Sequence, residues 1–198
     1  TVHRLLKLDL VLSLDTRVCL HIQLAGTAIY LLSDSRAAQE HLDHAQAQLA
    51  GLDMPDEQYM VYCYRCLDHI FNRRIDAAKT SSERMRNFVS VGLRESVKIW
   101  VAGACGNFLA VIGQYESLKY YLMDLDDWLD TAALEQRQMG GFFQIWQAQY
   151  SLLSGDYPKV IDRLGSALES PIFLVPGDSR RMGIILYALA RSAMGHLV

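Results

Sequence analysis

The sequence predicts an all-α fold, an α-solenoid of antiparallel helical hairpins with a repeat of about forty residues. Three observations lead there. Apolar residues recur at helical spacing along nearly the whole chain, and no segment alternates convincingly with a period of two. Short polar or Gly-containing breaks interrupt the helical pattern at regular intervals. When the breaks are superposed, the columns on either side hold small or apolar residues, as an internal repeat requires.

The clearest break is Leu153-Ser154-Gly155-Asp156-Tyr157-Pro158, where Gly155 stops one helix, Asp156 caps the next and Pro158 lies in its first turn. Ile112-Gly113-Gln114-Tyr115 is a close relative. Weaker copies are Leu32-Ser33-Asp34-Ser35 and Asn72-Arg73-Arg74-Ile75, and Met194-Gly195 begins a fifth. With Ser33, Arg73, Gly113, Gly155 and Gly195 as equivalents, the spacings are 40, 40, 42 and 40 residues. Close packing of two helices needs a small side chain about two turns before the break, and seven residues back stand Gly26, Cys66, Gly106, Ala148 and Ala188. Five residues past the break come Ala38, Ala78, Leu118 and Val160, and twelve past it Ala45, Met85, Leu125 and Ala167, all apolar.

First helices are therefore expected over 16–32, 56–72, 94–112, 135–153 and 179–194, and second helices over 34–50, 74–90, 114–130 and 157–169. The repeats run over about 16–53, 54–93, 94–134 and 135–178 within one solenoid, 1–198. Residues 1–15, with Leu5, Leu6, Leu8, Leu10 and Leu12, fit the second helix of a preceding unit, and 179–198 begin a further one. Both ends cut through repeats, so a window on a longer solenoid is expected, with apolar faces at Leu5, Leu8, Leu12, Leu186 and Leu189 that favour a homodimer. Gly51 to Pro55 and Pro171 to Ser179 are loops between repeats.

Composition narrows the function. A chain 51% hydrophobic and 21% charged is that of a folded soluble protein. A net charge of −3 gives no broad basic field, so direct nucleic-acid contact is not expected of this segment. The uncharged run 99–115 is interrupted by Asn107, Gln114 and glycines and crosses a turn, so no membrane span is expected. The opening TVHRLLKLDL is too charged for a signal peptide. Cys19, Cys63, Cys66 and Cys105 all lie in apolar helical patterns, where a thiol packs as a small hydrophobe, and a reduced cytoplasmic setting follows.

Few residues group as a catalyst or metal site would. Cys63-Tyr64-Arg65-Cys66 has the spacing of redox and zinc motifs, but it sits within a helix, has no second pair, and Cys66 fills the small column, so packing explains it better. His41 and His44, three apart beside Glu40 and Asp43, put two imidazoles on one face; lacking a further ligand they read as a solvated face. No Ser-His-Asp or Cys-His grouping has positional support, so no catalytic residue, metal or cofactor is assigned. Charge is unevenly spread. Arg73, Arg74, Lys79, Arg84, Arg86, Arg94 and Lys98 make one stretch basic, whereas Glu116, Asp124, Asp126, Asp127 and Asp130 around Trp128 make the next second helix acidic. These helices either offset one another or form a partner patch on the convex side.

The small-residue column, the Gly-Asp-Tyr turn at 155–157 and the apolar residue that follows resemble the tetratricopeptide repeat, lengthened by about one turn. Extended repeats of this kind are similar to those of the effector-sensing region of MalT-like (LuxR-type) bacterial transcription regulators. That resemblance implies a right-handed superhelix, a nucleotide-binding switch upstream and a helix-turn-helix downstream; neither a phosphate loop nor a basic recognition helix occurs in this chain. It also implies that first helices line a concave face. The inward positions would then be Leu20, Met60, Trp100, Phe142 and Met182, followed by Gln23, Thr27, Tyr30, Asn107 and Gln149. Large apolar surface beside uncharged hydrogen-bonding groups suits a peptide, a small effector or a protein partner, the alternative being that these residues are core. The expected function is thus a non-catalytic sensing module coupled to other domains of the same polypeptide, or else an assembly scaffold with no small ligand.

Overall fold

A computed structural model describes residues 12–114, 117–118, 140–168 and 178–195. Every regular element among the described residues is helical, with no strand among them. The helices are α1 (Leu14–Thr27), α2 (Ser35–Leu49), α3 (Pro55–Phe71), α4 (Ile75–Met85), α5 (Glu95–Val111), α6 (Gly140–Leu153), α7 (Tyr157–Leu168) and α8 (Asp178–Ala193). A π-helical turn, Ala28–Leu32, extends α1, and a 3-10 turn, Phe88–Ser90, follows α4.

Local chemistry sets the starts. The Ser13 hydroxyl accepts from the Thr16 amide at 3.3 Å, Asp34 Oδ1 from the Ala37 amide at 3.0 Å, and Asp156 Oδ1 from the Lys159 amide at 3.4 Å. Each side chain satisfies an amide that has no partner within its helix. α3 instead begins with Pro55, whose missing N–H costs nothing there.

The stops share one geometry. Ser33, Arg73, Gly113, Gly155 and Gly195 all have positive φ, at 51°, 58°, 75°, 78° and 75°. At Arg73, Gly113 and Gly155 the residue's own amide donates to the carbonyl three back, and the next amide donates to the carbonyl five back from itself. Arg74 N to His69 O is 2.8 Å, Gln114 N to Leu109 O 2.9 Å and Asp156 N to Ser151 O 2.8 Å, so orphan carbonyls at the helix end are satisfied. The Ser33 stop is wider by one residue: the amides of both Ser33 and Asp34 turn to Ala28 O, closing the π-helical turn. Any residue with a Cβ is strained in the left-handed region by roughly 1–2 kcal/mol, so Ser33 and Arg73 need support from outside the turn.

That support is a buried carboxylate. Asp68, on α3, is 2% exposed. It accepts from Gln39 at 2.7 Å, from Ser35 at 3.1 Å and from Asn72 at 3.0 Å, and it is ion-paired with Arg74. Asn72 and Arg74 flank the strained Arg73, and Ser35 lies two residues past Ser33, so one side chain pins the backbone beside both breaks that lack glycine. Gln39 passes the network on to Arg65, which also donates to Asp43 at 2.6 Å and Gln46 at 3.0 Å.

The chain forms two compact units, Thr1–Val97 and Lys98–Val198. In the first, α1 packs on α2 and α3, α2 on α3, and α3 on α4. In the second, α6 packs on α7 and α8, and α7 on α8. A first helix thus touches its own second helix and the next first helix in both, a helical repeat-like arrangement. The small column is buried at Gly26, Cys66, Gly106 and Ala148 and half-buried at Ala188. Cys66 Sγ meets the carbonyl of Ala78 at 3.6 Å, and a Cβ on Gly106 would stand 3.1 Å from Leu118, as expected of paired helices. Gly26 differs: a Cβ there would meet the Tyr64 ring at 3.0 Å, so it makes room for the next first helix. Ala38, Ala78, Leu118 and Val160 are buried, as are Ala45 and Met85; the side chains of Leu125 and Ala167 lie outside the described residues, as do 119–139 and most of the expected loop 171–179.

Two expectations need correcting. The helix expected over 74–90 ends at Met85, because the chain tightens into the 3-10 turn that buries Phe88 while Ser90 Oγ donates to the Asn87 carbonyl at 2.8 Å. Leu186, expected on an exposed face, is buried with Ala148, Val160 and Leu164, whereas Leu189 is exposed.

Asp68→Ala should lower stability by about 3 kcal/mol, the lower end for breaking a buried pair because Arg74 keeps access to water; an unchanged urea midpoint would refute the clamp. No heavy atom lies within 4 Å of a Cβ built on Gly155, so Gly155→Ala should cost about 1 kcal/mol through backbone strain alone. Arg73→Gly should instead stabilise the chain by about 0.5–1 kcal/mol in the same titration.

Candidate functional site

The side chains expected to line a concave face fall in both units. In the first, Gln23 and Thr27 are exposed on α1, and Thr27 Oγ1 donates to the Gln23 carbonyl at 2.9 Å. Leu20 and Met60 are half-buried. Tyr30, within the π-helical turn, stands edge-on to Tyr64 and Phe71 at centroid distances of 6.3 and 6.2 Å. Burial drives the hydroxyls of Tyr30 and Tyr64 well above the usual tyrosine range, so both remain neutral donors. In the second unit Trp100, Asn107 and Gln149 are half-buried, and Asn107 Nδ2 donates to the Gly103 carbonyl at 3.2 Å. The side chains of Phe142 and Met182 lie outside the described residues. Equivalent columns do not share one environment: six residues before the break Thr27 is exposed and Leu67 fully buried.

A cleft that sequence analysis did not assemble lies among α2, α3 and α4. It encloses about 490 Å³ and is lined chiefly by Tyr62, Arg65, His69, Ser81, Arg84 and Asp43. The Arg84 guanidinium sits 5.4 Å over the Tyr62 ring, a cation–π contact. Only Arg84 of this set belongs to the basic stretch read from the sequence. Arg65 comes from the preceding first helix, and its charge is directed to Asp43. The acidic stretch around Trp128 lies outside the described residues.

The hairpin of α1 and α2 adds a histidine cluster. His21 Nδ1 and His41 Nδ1 are 3.1 Å apart, their ring centroids 5.3 Å apart and tilted by 45°. The His44 ring stacks on His21 at 5.1 Å and 27°. His21 was missed from the sequence, although a signal existed: it lies twelve residues before Ser33, while His41 and His44 lie eight and eleven after it, so a hairpin turning at Ser33 brings all three level. Burial, then His41, His44 and Arg17 in turn, disfavours the imidazolium and lowers the His21 pKa to about 4.

None of the four cysteines is in a disulfide, Cys19 being exposed and Cys63, Cys66 and Cys105 buried. Among the described residues no three or more His, Cys, Asp or Glu side chains are grouped so that they could hold a metal ion, and no helix is long and apolar enough to cross a membrane. Comparison with protein-family models, with curated proteins and with solved structures gave no match.

The unfolded chain takes up a proton at His21 near pH 6.5 that the folded chain resists until about pH 4. Stability should therefore fall as the pH drops through that window and level off below it. Thermal melts from pH 7.5 to 3.5 should show this loss, and His21→Gln should remove part of it; a variant that follows the parent curve throughout would exclude His21 as the source.

Proposed function

We propose that the chain is a non-catalytic binding module, an array of helical hairpins that holds a peptide, a small effector or a protein partner on its first helices. The recurrence of one left-handed stop at all five aligned breaks supports this reading. Recurring hairpins of one kind are the units from which helical-repeat proteins build extended binding surfaces. In the first unit exposed Gln23 and Thr27, and in the second half-buried Trp100, Asn107 and Gln149, are groups of the kind that bind such ligands, each unit taken by itself. The resemblance to MalT-like regulators extends the proposal to a cytoplasmic sensing region of a bacterial transcription regulator, coupled to other domains of its polypeptide. A phosphate loop upstream and a helix-turn-helix downstream in the coding sequence would support that extension, and their absence would remove it.

A second reading, an assembly scaffold with no small ligand, is favoured by one recurring feature. Two residues before each of the first four breaks stand Leu31, Phe71, Val111 and Leu153, exposed by 64, 49, 48 and 41%. Large apolar side chains repeated at hairpin tips suit contact with another protein surface.

A displayed random-peptide library panned against the chain, with a Trp100→Ala/Gln149→Ala variant as counter-selection, should enrich peptides that bind only the parent. If the variant instead loses about 3–5 kcal/mol of stability, as a core truncation does, those positions are not a groove. If no peptide is enriched, while Leu31→Ser/Phe71→Ser abolishes self-association in sedimentation, the scaffold replaces the sensor.

A further inference from the structure

On α4, Ala77, Ser81 and Arg84 follow one another at single-turn spacing, so they share a face, and the first two are small enough to leave space in front of it. Opposite stands the α3 stripe of Tyr62, Arg65 and His69. The space between is the cleft of about 490 Å³. It is built from two second helices and one first helix, and nothing in it depends on Trp100 or Gln149. A further hollow of about 280 Å³ lies beside the α2–α3 loop, where Leu49, Leu52 and Val61 make it apolar and Gln58 adds an amide. Gln46 and Tyr62 line both spaces, so the two adjoin at the Tyr62 side chain.

Charge in the cleft is unbalanced. Asp43 offsets Arg65 at 2.6 Å. Burial, and then Arg74, lowers the His69 pKa, so this imidazole is uncharged at neutral pH. Arg84 is left over. Three and four residues to either side of it stand Thr80, Ser81, Asn87 and Phe88, none of them acidic, and the ion pairs among the described residues do not include it. The walls also carry polar groups that protein atoms leave unmet. Gln58 donates to the Tyr62 hydroxyl oxygen at 3.2 Å, which leaves the phenol proton for another acceptor. Arg65 Nε and His69 Nδ1 are buried with no hydrogen-bond partner among the described residues.

We propose that the cleft and the hollow together dock an acidic peptide: a Glu or Asp carboxylate meets Arg84 and the Tyr62 hydroxyl, and a neighbouring apolar side chain enters the hollow beside Leu52. A single surplus guanidinium matches the single charge of a carboxylate better than the double charge of a phosphate monoester. The two spaces differ in character and lie on either side of one ring, so their occupant carries an acid and an apolar group a short chain apart. Between them Gln46 and Gln58 offer amides of the kind that pair with peptide bonds. Stacking on Tyr62 holds the Arg84 guanidinium in place before the carboxylate arrives, which reduces the side-chain ordering that binding costs.

The test titrates the whole chain with acetyl-Leu-Glu-Leu-amide and follows the Arg84 Nε–H and Tyr62 ring resonances. Both should shift saturably, and the Gln counterpart of the peptide should move neither. Arg84→Gln should weaken binding by at least about tenfold, the worth of a charged hydrogen bond. Arg86→Gln removes the same charge outside the cleft and should leave the affinity unchanged. Leu52→Ser should weaken the Leu-Glu-Leu peptide but not acetyl-Gly-Glu-Gly-amide. The absence of a saturable shift, equal binding of the Gln peptide, or an equal loss in Arg86→Gln would overturn the site; the peptide comparison stands even if Arg84→Gln fails to fold. Glutarate or the Gly-Glu-Gly peptide binding as tightly as Leu-Glu-Leu would overturn the part given to the hollow and leave a site for small carboxylates.

Discussion

The carboxylate of Asp68 governs the first half of the fold because it answers for two backbone reversals at once. A helix that ends in a left-handed residue saves its last carbonyls from being orphaned, and glycine adopts that conformation with no Cβ to object. Gly113, Gly155 and Gly195 do so unaided. Ser33 and Arg73 do not have that freedom, and around them the chain places polar side chains that converge on Asp68 from α2, from α3 and from the start of α4. The corresponding positions before Gly113 and Gly155 hold Phe108 and Tyr150, so at these unstrained turns the position of Asp68 is filled by a side chain without a carboxylate.

The same network decides what the neighbouring surface can do. Arg65 is drawn toward α2 by Gln39, Asp43 and Gln46, so the cleft it lines presents a guanidinium already committed to protein acceptors. Arg84, stacked on Tyr62, is the cation in that cleft turned toward solvent. The basic stretch that stands out in the sequence is therefore divided by function: Arg74 is spent on the interior, Arg94 pairs with Asp56 and Glu57 at the start of α3, and Arg84 faces outward. Counting charges along the chain overstates the field a partner would meet.

Legibility followed the range of the interactions involved. Helix stops at Gly155 and Gly113 were readable because glycine, Asp156 and Pro158 act on their own backbone. Those at Ser33 and Arg73 emerged only through alignment with the clearer copies, since neither residue favours a left-handed turn by itself. Asp68 was invisible for the opposite reason: a single acid within an apolar pattern gives no sign of partners that arrive from three helices. His21 lay between these cases, recoverable by counting across the turn but not by scanning for spaced motifs. Which side of a first helix faces a groove was not readable at all, because Thr27 and Leu67 occupy one column and opposite environments.

The π-helical turn that ends α1 has a consequence for how such a chain varies. The hydrogen-bonded ring closed onto Ala28 spans one residue more than those at Arg73, Gly113 and Gly155, yet the chain from the buried column to the residue after the stop has the same length, Gly26 to Asp34 as Cys66 to Arg74 and Ala148 to Asp156. The wider ring is accommodated at the hairpin tip, where Leu31 and Leu32 face solvent and Tyr30 stands edge-on to Tyr64 and Phe71. Tips of this kind act as slack joints: the backbone there changes its hydrogen-bond register without moving the packed helices, so hairpins whose stops close differently keep one pattern of helix pairing.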